Sequence, residues 1–277
     1  MISFSSAKNF CIVNTSLCLI GFLQYNAVMY YQSFNILGVN LIPLYVFLIF
    51  VTRNYILLHM IDYGTRSKPY INQTMIPKEE YKYEFHVNVL SATAVETVTH
   101  VFIKTYLIQL HFSGPTYYEI VYFIPLSFLF EIIFDFFHYG AHRMLHHKSV
   151  YKYLHKKHHK FNHPIAITTF YQDPLDLLLT NSIPTMLALY MVPGISYYQF
   201  HMMTIYKSFI EISGHSGKIS YPTTSFPQFI WLPKWLHIEL SCEDHDIHHS
   251  LNRCNYAKRF SLWDKVFGTY VSFYKRV

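Results

Sequence analysis

The sequence predicts an all-α integral membrane protein, with about four transmembrane helices in hairpins and a cytosolic histidine-rich helical cap. Three observations predict it: the composition, the length of the apolar runs and the placing of the histidines. Of the 277 residues, 52% are apolar and only 14% charged, against about a quarter charged in ordinary soluble domains. The 25 Tyr and 24 Phe suit a lipid boundary, where Tyr rings favour the headgroup level. Eight of the 18 histidines lie between His138 and His163.

Taken in order, the first apolar run is Phe10 to Tyr31 and the second Phe34 to Val51, ending at Thr52-Arg53-Asn54. Each approaches the ~20 residues that span a bilayer. The first lacks a small-residue cleavage site and a second run follows at once, so the pair reads as an uncleaved hairpin. Residues 62–84 read as a polar connection and 85–113 as an amphipathic interfacial helix. The third run is Tyr118 to Phe137. Glu131 and Asp135 near its end should face protein, because acidic groups facing lipid are costly. Leu175 to Val192 and Ile195 to Ile212 flank Pro193-Gly194 and read as a further hairpin.

That hairpin returns the chain to the side it left, so residues 138–173 and 214–277 should share one membrane face. The face carries Arg143, Lys148, Lys152, Lys156, Lys157, Lys160, Arg253, Lys258, Arg259, Lys265, Lys275 and Arg276, which makes it cytoplasmic by the positive-inside tendency. Most of these basic residues are expected to be solvated or to face headgroups. The net charge of +6 then points to anionic lipid rather than nucleic acid. Cys11, Cys18, Cys242 and Cys254 form no CxxC pair and imply no disulfide framework. Residues 1–117 are expected to form the membrane hairpin and interfacial segment, and 118–277 a second domain that carries the clustered histidines.

Three histidine clusters carry the chemistry: His142 with His146, then His155, His158 and His159, then His245, His248 and His249. Helical residues four apart share a face, so His142 and His146 aim at one point, with His138 on the same stripe. In the H-x-x-H-H pattern the two following imidazoles diverge and can serve two neighbouring ions. Eight imidazoles exceed the need of one ion and suit two. Neutral imidazole suits iron, copper, nickel and zinc. A lone histidine is more often a surface or core residue, and His59, His86, His100, His111 and His201 are read so. His147 points away from His146; His163 and His237 stay open.

HRMLHH (142–147), HKKHHKF (155–161), GHSG (214–217), DHDIHHS (244–250) and NYAKRFSLWDKVFGTY (255–270) together resemble the fatty acid hydroxylase / sterol desaturase superfamily of membrane di-iron enzymes. The resemblance covers about residues 118–270, and the tail is similar to the cholesterol 25-hydroxylase and C4-methylsterol oxidase branches. It implies metal ligands at His142, His146, His155, His158, His159, His245, His248 and His249, with His215 as a ninth. It places His138 as a ligand or a group behind one, and Asp135 as an acid orienting a ligand imidazole. Where methylsterol oxidases carry His-Pro, this chain has Asp173-Pro174. Asp173 is either an oxygen ligand or, as favoured here, a helix N-cap.

The resemblance further implies two Fe and O2 as cofactors, with electrons from NAD(P)H through cytochrome b5 or a reductase. No Rossmann fingerprint or CxxCH is present, so the electrons come from outside. It implies a lipid substrate drawn from the bilayer, a sterol first and a fatty acid or sphingoid lipid next, and endoplasmic-reticulum residence. Two other classes compete: a histidine-rich metal transporter, which would place ligands inside the membrane helices, and an inactive lipid-binding relative.

Overall fold

The computed structural model describes residues 4–30, 35–36, 39–72, 81–108, 116–220 and 225–273. It is all-helical apart from one pair of two-residue strands, β1 Asn35–Ile36 and β2 Val39–Asn40, which pair antiparallel. Among the described residues, three helices are long and apolar enough to cross a membrane: Ala7–Tyr30 within α1 (Phe4–Tyr30), α2 (Ile42–Thr65) and α5 (Phe123–Leu145). The predicted hairpin is present as α7 (Pro174–Leu177), a π-helical turn Leu178–Ser182, α8 (Ile183–Met191) and α9 (Tyr197–Gly214). Asp176, Thr180, Asn181, Lys207 and Glu211 lower its hydropathy, and all five are engaged around the sites described below.

The second span runs further than the sequence suggests. Arg53 and Asn54 read as its end, yet α2 continues to Thr65 with both side chains buried. Their partners come from α3 (Lys82–Tyr106): Arg53 pairs with Glu96, and Asn54 donates to Thr93 Oγ1 at 2.9 Å. A buried cation is tolerated when paired and hydrogen-bonded. The segment read as interfacial thus contributes a helix packed along α2, burying Phe85, Val89, Ala92 and Ile103.

Short elements finish the chain: α4 (Tyr117–Val121), α6 (Lys148–Leu154), α10 (Trp231–Trp235), α11 (Cys242–Leu251) and α12 (Leu262–Val266). One apolar core joins α1, α2, α5, α8 and α9 through Tyr25, Phe50, Phe134, Ala188 and Phe200. The tail is fastened to this core by charge. Asp135 Oδ1 accepts the backbone N–H of Lys258 and Arg259 at 2.8 and 2.9 Å, and Oδ2 that of Phe260 at 3.1 Å. Arg259 is fully buried between Glu131 at 2.7 Å and Glu211 at 2.8 Å. Glu131 and Asp135 thus face protein, as their cost in lipid requires. Arg259, and Lys258 at 10% exposure, are exceptions to the reading of most basic residues as solvated. All four cysteines are free thiols.

Candidate metal centre

The site is built from four places in the chain. The last turn of α5 supplies His142 and His146, four residues apart on one face. A short 3₁₀ segment, His158–Lys160, follows α6 and presents His158 and His159 close to His155. His215 closes α9. Helix α11 carries His245, His248 and His249. Its start is fixed by a capping box in which Ser241 Oγ accepts from Asp244 N–H, and Asp244 Oδ2 accepts from Ser241 N–H, each at 3.2 Å. Its end is turned by Asn252 in the left-handed region, whose N–H donates to His248 O at 2.8 Å.

These elements bring together all nine histidines singled out from sequence, in two groups. His142, His146, His155, His159 and His248 form one; His158, His215, His245 and His249 form the other. Within each group the candidate ligand atoms lie within 4.8 Å of one another, and eight of the nine residues are buried. Neighbouring Nε2 atoms approach closely: 3.0 Å from His142 to His155, 3.1 Å from His155 to His159 and from His159 to His248. In the second group His215 Nε2 lies 3.1 Å from His245 and 3.3 Å from both His158 and His249.

The other ring nitrogens decide what these contacts are. Nδ1–H of His142 donates to Tyr256 O, of His248 to Cys254 O and of His215 to Glu211 O, at 2.7, 2.7 and 2.8 Å. His155 Nδ1–H donates to the fully buried Asp176 carboxylate at 2.8 Å. A neutral imidazole whose Nδ1 carries the proton has only a lone pair at Nε2. The 3.0 Å approach of His142 to His155 is therefore lone pair against lone pair, which is repulsive unless a cation lies between. Metal–imidazole bonds of about 2.1 Å put adjacent ligand nitrogens about 3.0 to 3.4 Å apart. The spacing and the donor chemistry both fit a pair of metal ions.

Electrostatics agree. Burial and then the neighbouring imidazoles hold His158, His159, His245 and His249 well below the usual imidazole range. Burial first brings His215 and His248 down to about 3. These six imidazoles are thus neutral at neutral pH, the form that ligates metal. Burial also lowers Lys258 to about 8.

Three further candidates stand apart. His138 Nδ1–H donates to Thr180 O at 2.6 Å and its Nε2 has no partner; its ring lies 5.0 Å from that of His142, outside both groups. Asp135 holds backbone N–H groups of residues 258–260 rather than an imidazole, so its reading as an orienting acid is corrected. Asp173 has the extended backbone of an N-cap before Pro174, without a side-chain capping bond; its carboxylate pairs with Lys157 at 3.3 Å and is 40% exposed. It belongs to neither imidazole group. The acid behind a ligand is Asp176, three residues on, a position that sequence reasoning missed. Its one signal was an acidic residue in an otherwise apolar run. His163 donates to Asp246 at 2.8 Å away from the groups, and His237 lies in a left-handed turn. His111 lies outside the described residues.

The tail motif has a structural task that the sequence alone did not state. Asn255 donates to Asp244 O and exchanges bonds with Val271, each at 2.8 Å. Asp264 accepts from the backbone of Tyr256 and Ala257 at 2.9 and 2.8 Å and from Thr269 Oγ1 at 2.7 Å. Together they place the carbonyls of Cys254 and Tyr256 that orient His248 and His142.

One cavity adjoins the imidazoles, and a second shares a wall residue with it. The first, of about 240 Å³, is lined by His138, His142, His155, His158, His245 and Lys258 among others. The second is larger, about 720 Å³ measured to its open mouth, and lies among α2, α3, α9 and the π-helical turn. Gln172 lines both.

Membrane-length helices, one of which (α5) ends at the paired imidazole groups, define a class: an integral membrane protein with a histidine-built candidate dinuclear metal centre. Residues 127–269 match the fatty acid hydroxylase family, and the chain belongs to it. A fatty acid hydroxylase from a Lecanicillium species is 32% identical over 150 residues, covering 51% of this chain and 40% of that protein. Methylsterol monooxygenase 1 of Rattus norvegicus is 32% identical over 144 residues, covering 52% and 45%. The C-4 methylsterol oxidase of Schizosaccharomyces pombe is 28% identical over 165 residues, covering 56% and 49%. The chain thus spans about half the length of the curated relatives it matches. No solved structure matches it.

Proposed function

We propose that this protein is a membrane di-iron oxygenase that hydroxylates or oxidises a lipid C–H bond with O2, a sterol being the first-choice substrate. The observation that carries the reading is the facing of lone-pair nitrogens in groups of five and four. His142, His146, His155, His159 and His248 would hold one iron; His158, His215, His245 and His249 the other. Bound there, the iron pair supplies reductive activation of O2 for attack on an unactivated C–H bond. The chain's own part is to hold the imidazoles neutral, to fix their tautomers and to exclude water. Asp176 adds basicity to His155 through Nδ1. The lipid enters the larger cavity, and Gln172 marks where that cavity meets the imidazole-lined one.

Electrons come from NAD(P)H through cytochrome b5 or a reductase, docking on a cytoplasmic face at the endoplasmic reticulum. The sterol oxidases and the fatty acid hydroxylase among the relatives support lipid oxidation, and the latter keeps a fatty acid as the second reading. Purified full-length protein should contain two iron atoms per chain, and His158→Ala should lose about one of them. Cells expressing wild type, but not His158→Ala, should accumulate an oxidised sterol or fatty acid by lipidomics. Zinc alone, with metal transport in vesicles and no O2 consumption, would overturn the reading.

A further inference from the structure

Among the described side chains lining the larger cavity, only Asn181 and His100 hold buried polar atoms with no partner. Asn181 is 4% exposed, and both its Oδ1 and its Nδ2 are unspent. His100 is 3% exposed; Nε2 lies 2.8 Å from the Tyr197 hydroxyl, which leaves Nδ1. The neighbouring hydroxyls are already used. Thr99 Oγ1 donates to Val95 O at 2.8 Å and bonds Ser182 Oγ at 2.7 Å, and Thr185 Oγ1 donates to Asn181 O at 2.7 Å. A buried donor and acceptor left open in this way are costly, and a ligand that fills both removes the cost.

The charges along the wall are spent as well. Glu96 pairs with Arg53, and Glu211 with Lys207 and Arg259. Glu211 is shared by Lys207, Lys258 and Arg259, and Arg259 also pairs with Glu131, so each cation at this wall already faces a protein carboxylate. The carboxamide of Asn181 instead offers one donor and one acceptor side by side. A hydroxyl matches both, since it accepts from Nδ2 and donates to Oδ1. A carboxylate only accepts, and would set an anionic oxygen against Oδ1. An ether oxygen likewise satisfies only Nδ2.

We propose that Asn181, with His100 as a second polar point, binds the hydroxyl of a neutral lipid alcohol, so that the cavity selects lipid alcohols over lipid carboxylates. The proposal rests on the reading of the larger cavity as the lipid chamber of the oxygenase. A site built to bond a hydroxyl discriminates strongly against the analogue that lacks it.

The test is ligand titration of the full-length, iron-containing protein in detergent, followed by thermal shift, with iron measured in the same samples. The probes are cholesterol and oleyl alcohol, the methyl ether of each, and oleic acid. At least one alcohol should bind about tenfold more tightly than its ether and than oleic acid, roughly the value of one hydrogen bond. Which alcohol does so tells a sterol source from a straight-chain one. Asn181→Leu, which breaks no side-chain bond in the free protein, should bring that alcohol down to the level of its ether. Oleic acid binding as tightly as either alcohol, or an alcohol preference that survives Asn181→Leu, overturns the proposal. If the variant does not fold, the comparison of alcohol with ether on wild type decides alone. Protein that holds two iron atoms but shows no alcohol preference sinks this proposal and leaves the oxygenase reading standing; protein that cannot hold iron sinks that reading.

Discussion

Asp176 holds His155 in the tautomer that frees Nε2, through a 2.8 Å bond made without solvent at the acid. Carboxylates behind ligand imidazoles typically contribute 10- to 100-fold in metal affinity. Asp176→Ala should therefore weaken iron retention by about that factor, and Asp176→Asn much less, because its amide oxygen still accepts from Nδ1–H. Competition with a chelator measures both, and an alanine variant that keeps its iron would show that Asp176 only packs. Gly217 is a second single-residue constraint. Its φ is +64°, and a Cβ there would stand 2.3 Å from Pro164 O. The glycine of the GHSG motif thus lets the chain after His215 pass against the segment that follows the second cluster. Gly217→Ala should lower the melting temperature by several degrees in a detergent unfolding series.

At the scale of elements, the tail is an inserted brace between α5 and α9 rather than a solvated end. Arg259 pairs with Glu131 of α5 and Glu211 of α9. Removing one member of a buried ionic group leaves the rest uncompensated, at about 3–5 kcal/mol. Arg259→Met should cost that much by unfolding, while Arg259→Met combined with Glu131→Gln should recover part of it; equal stability of the single variant and wild type would show the pairing to be idle. The sequence made the helices and the nine histidines legible, because apolar runs and four-residue spacing are local patterns. It left the partners of charged residues illegible, because these are set by packing between distant segments. Arg53 looked like the end of a span and instead sits buried beside Glu96. Asp135 looked like a site residue and instead ties down the 258–260 backbone, while Asp176, hidden in an apolar run, reaches the site.

For the whole molecule, folding gathers imidazoles that repel one another once protonated, so stability is tied to both metal and pH. His215 and His248 are lowered to about 3 in the folded protein, against about 6.5 in an unfolded chain. His158, His159, His245 and His249 are lowered in the same sense. Between these limits the unfolded chain binds protons that the folded chain refuses. Stability therefore falls as pH drops below about 6.5 and is independent of these groups above it. Each fully differential proton changes stability by about 1.4 kcal/mol per pH unit, and several act together. Metal-free protein in detergent should hold its melting temperature from pH 8 to 7 and lose it steeply between pH 6.5 and 5. Iron-loaded protein should begin its loss at lower pH, because ligand binding to the folded state adds stability and protons must first displace the metal. A metal-free melting temperature that stays flat from pH 7 to 5 would mean that these six imidazoles are not packed as neutral groups in the apo fold, and that metal itself assembles them.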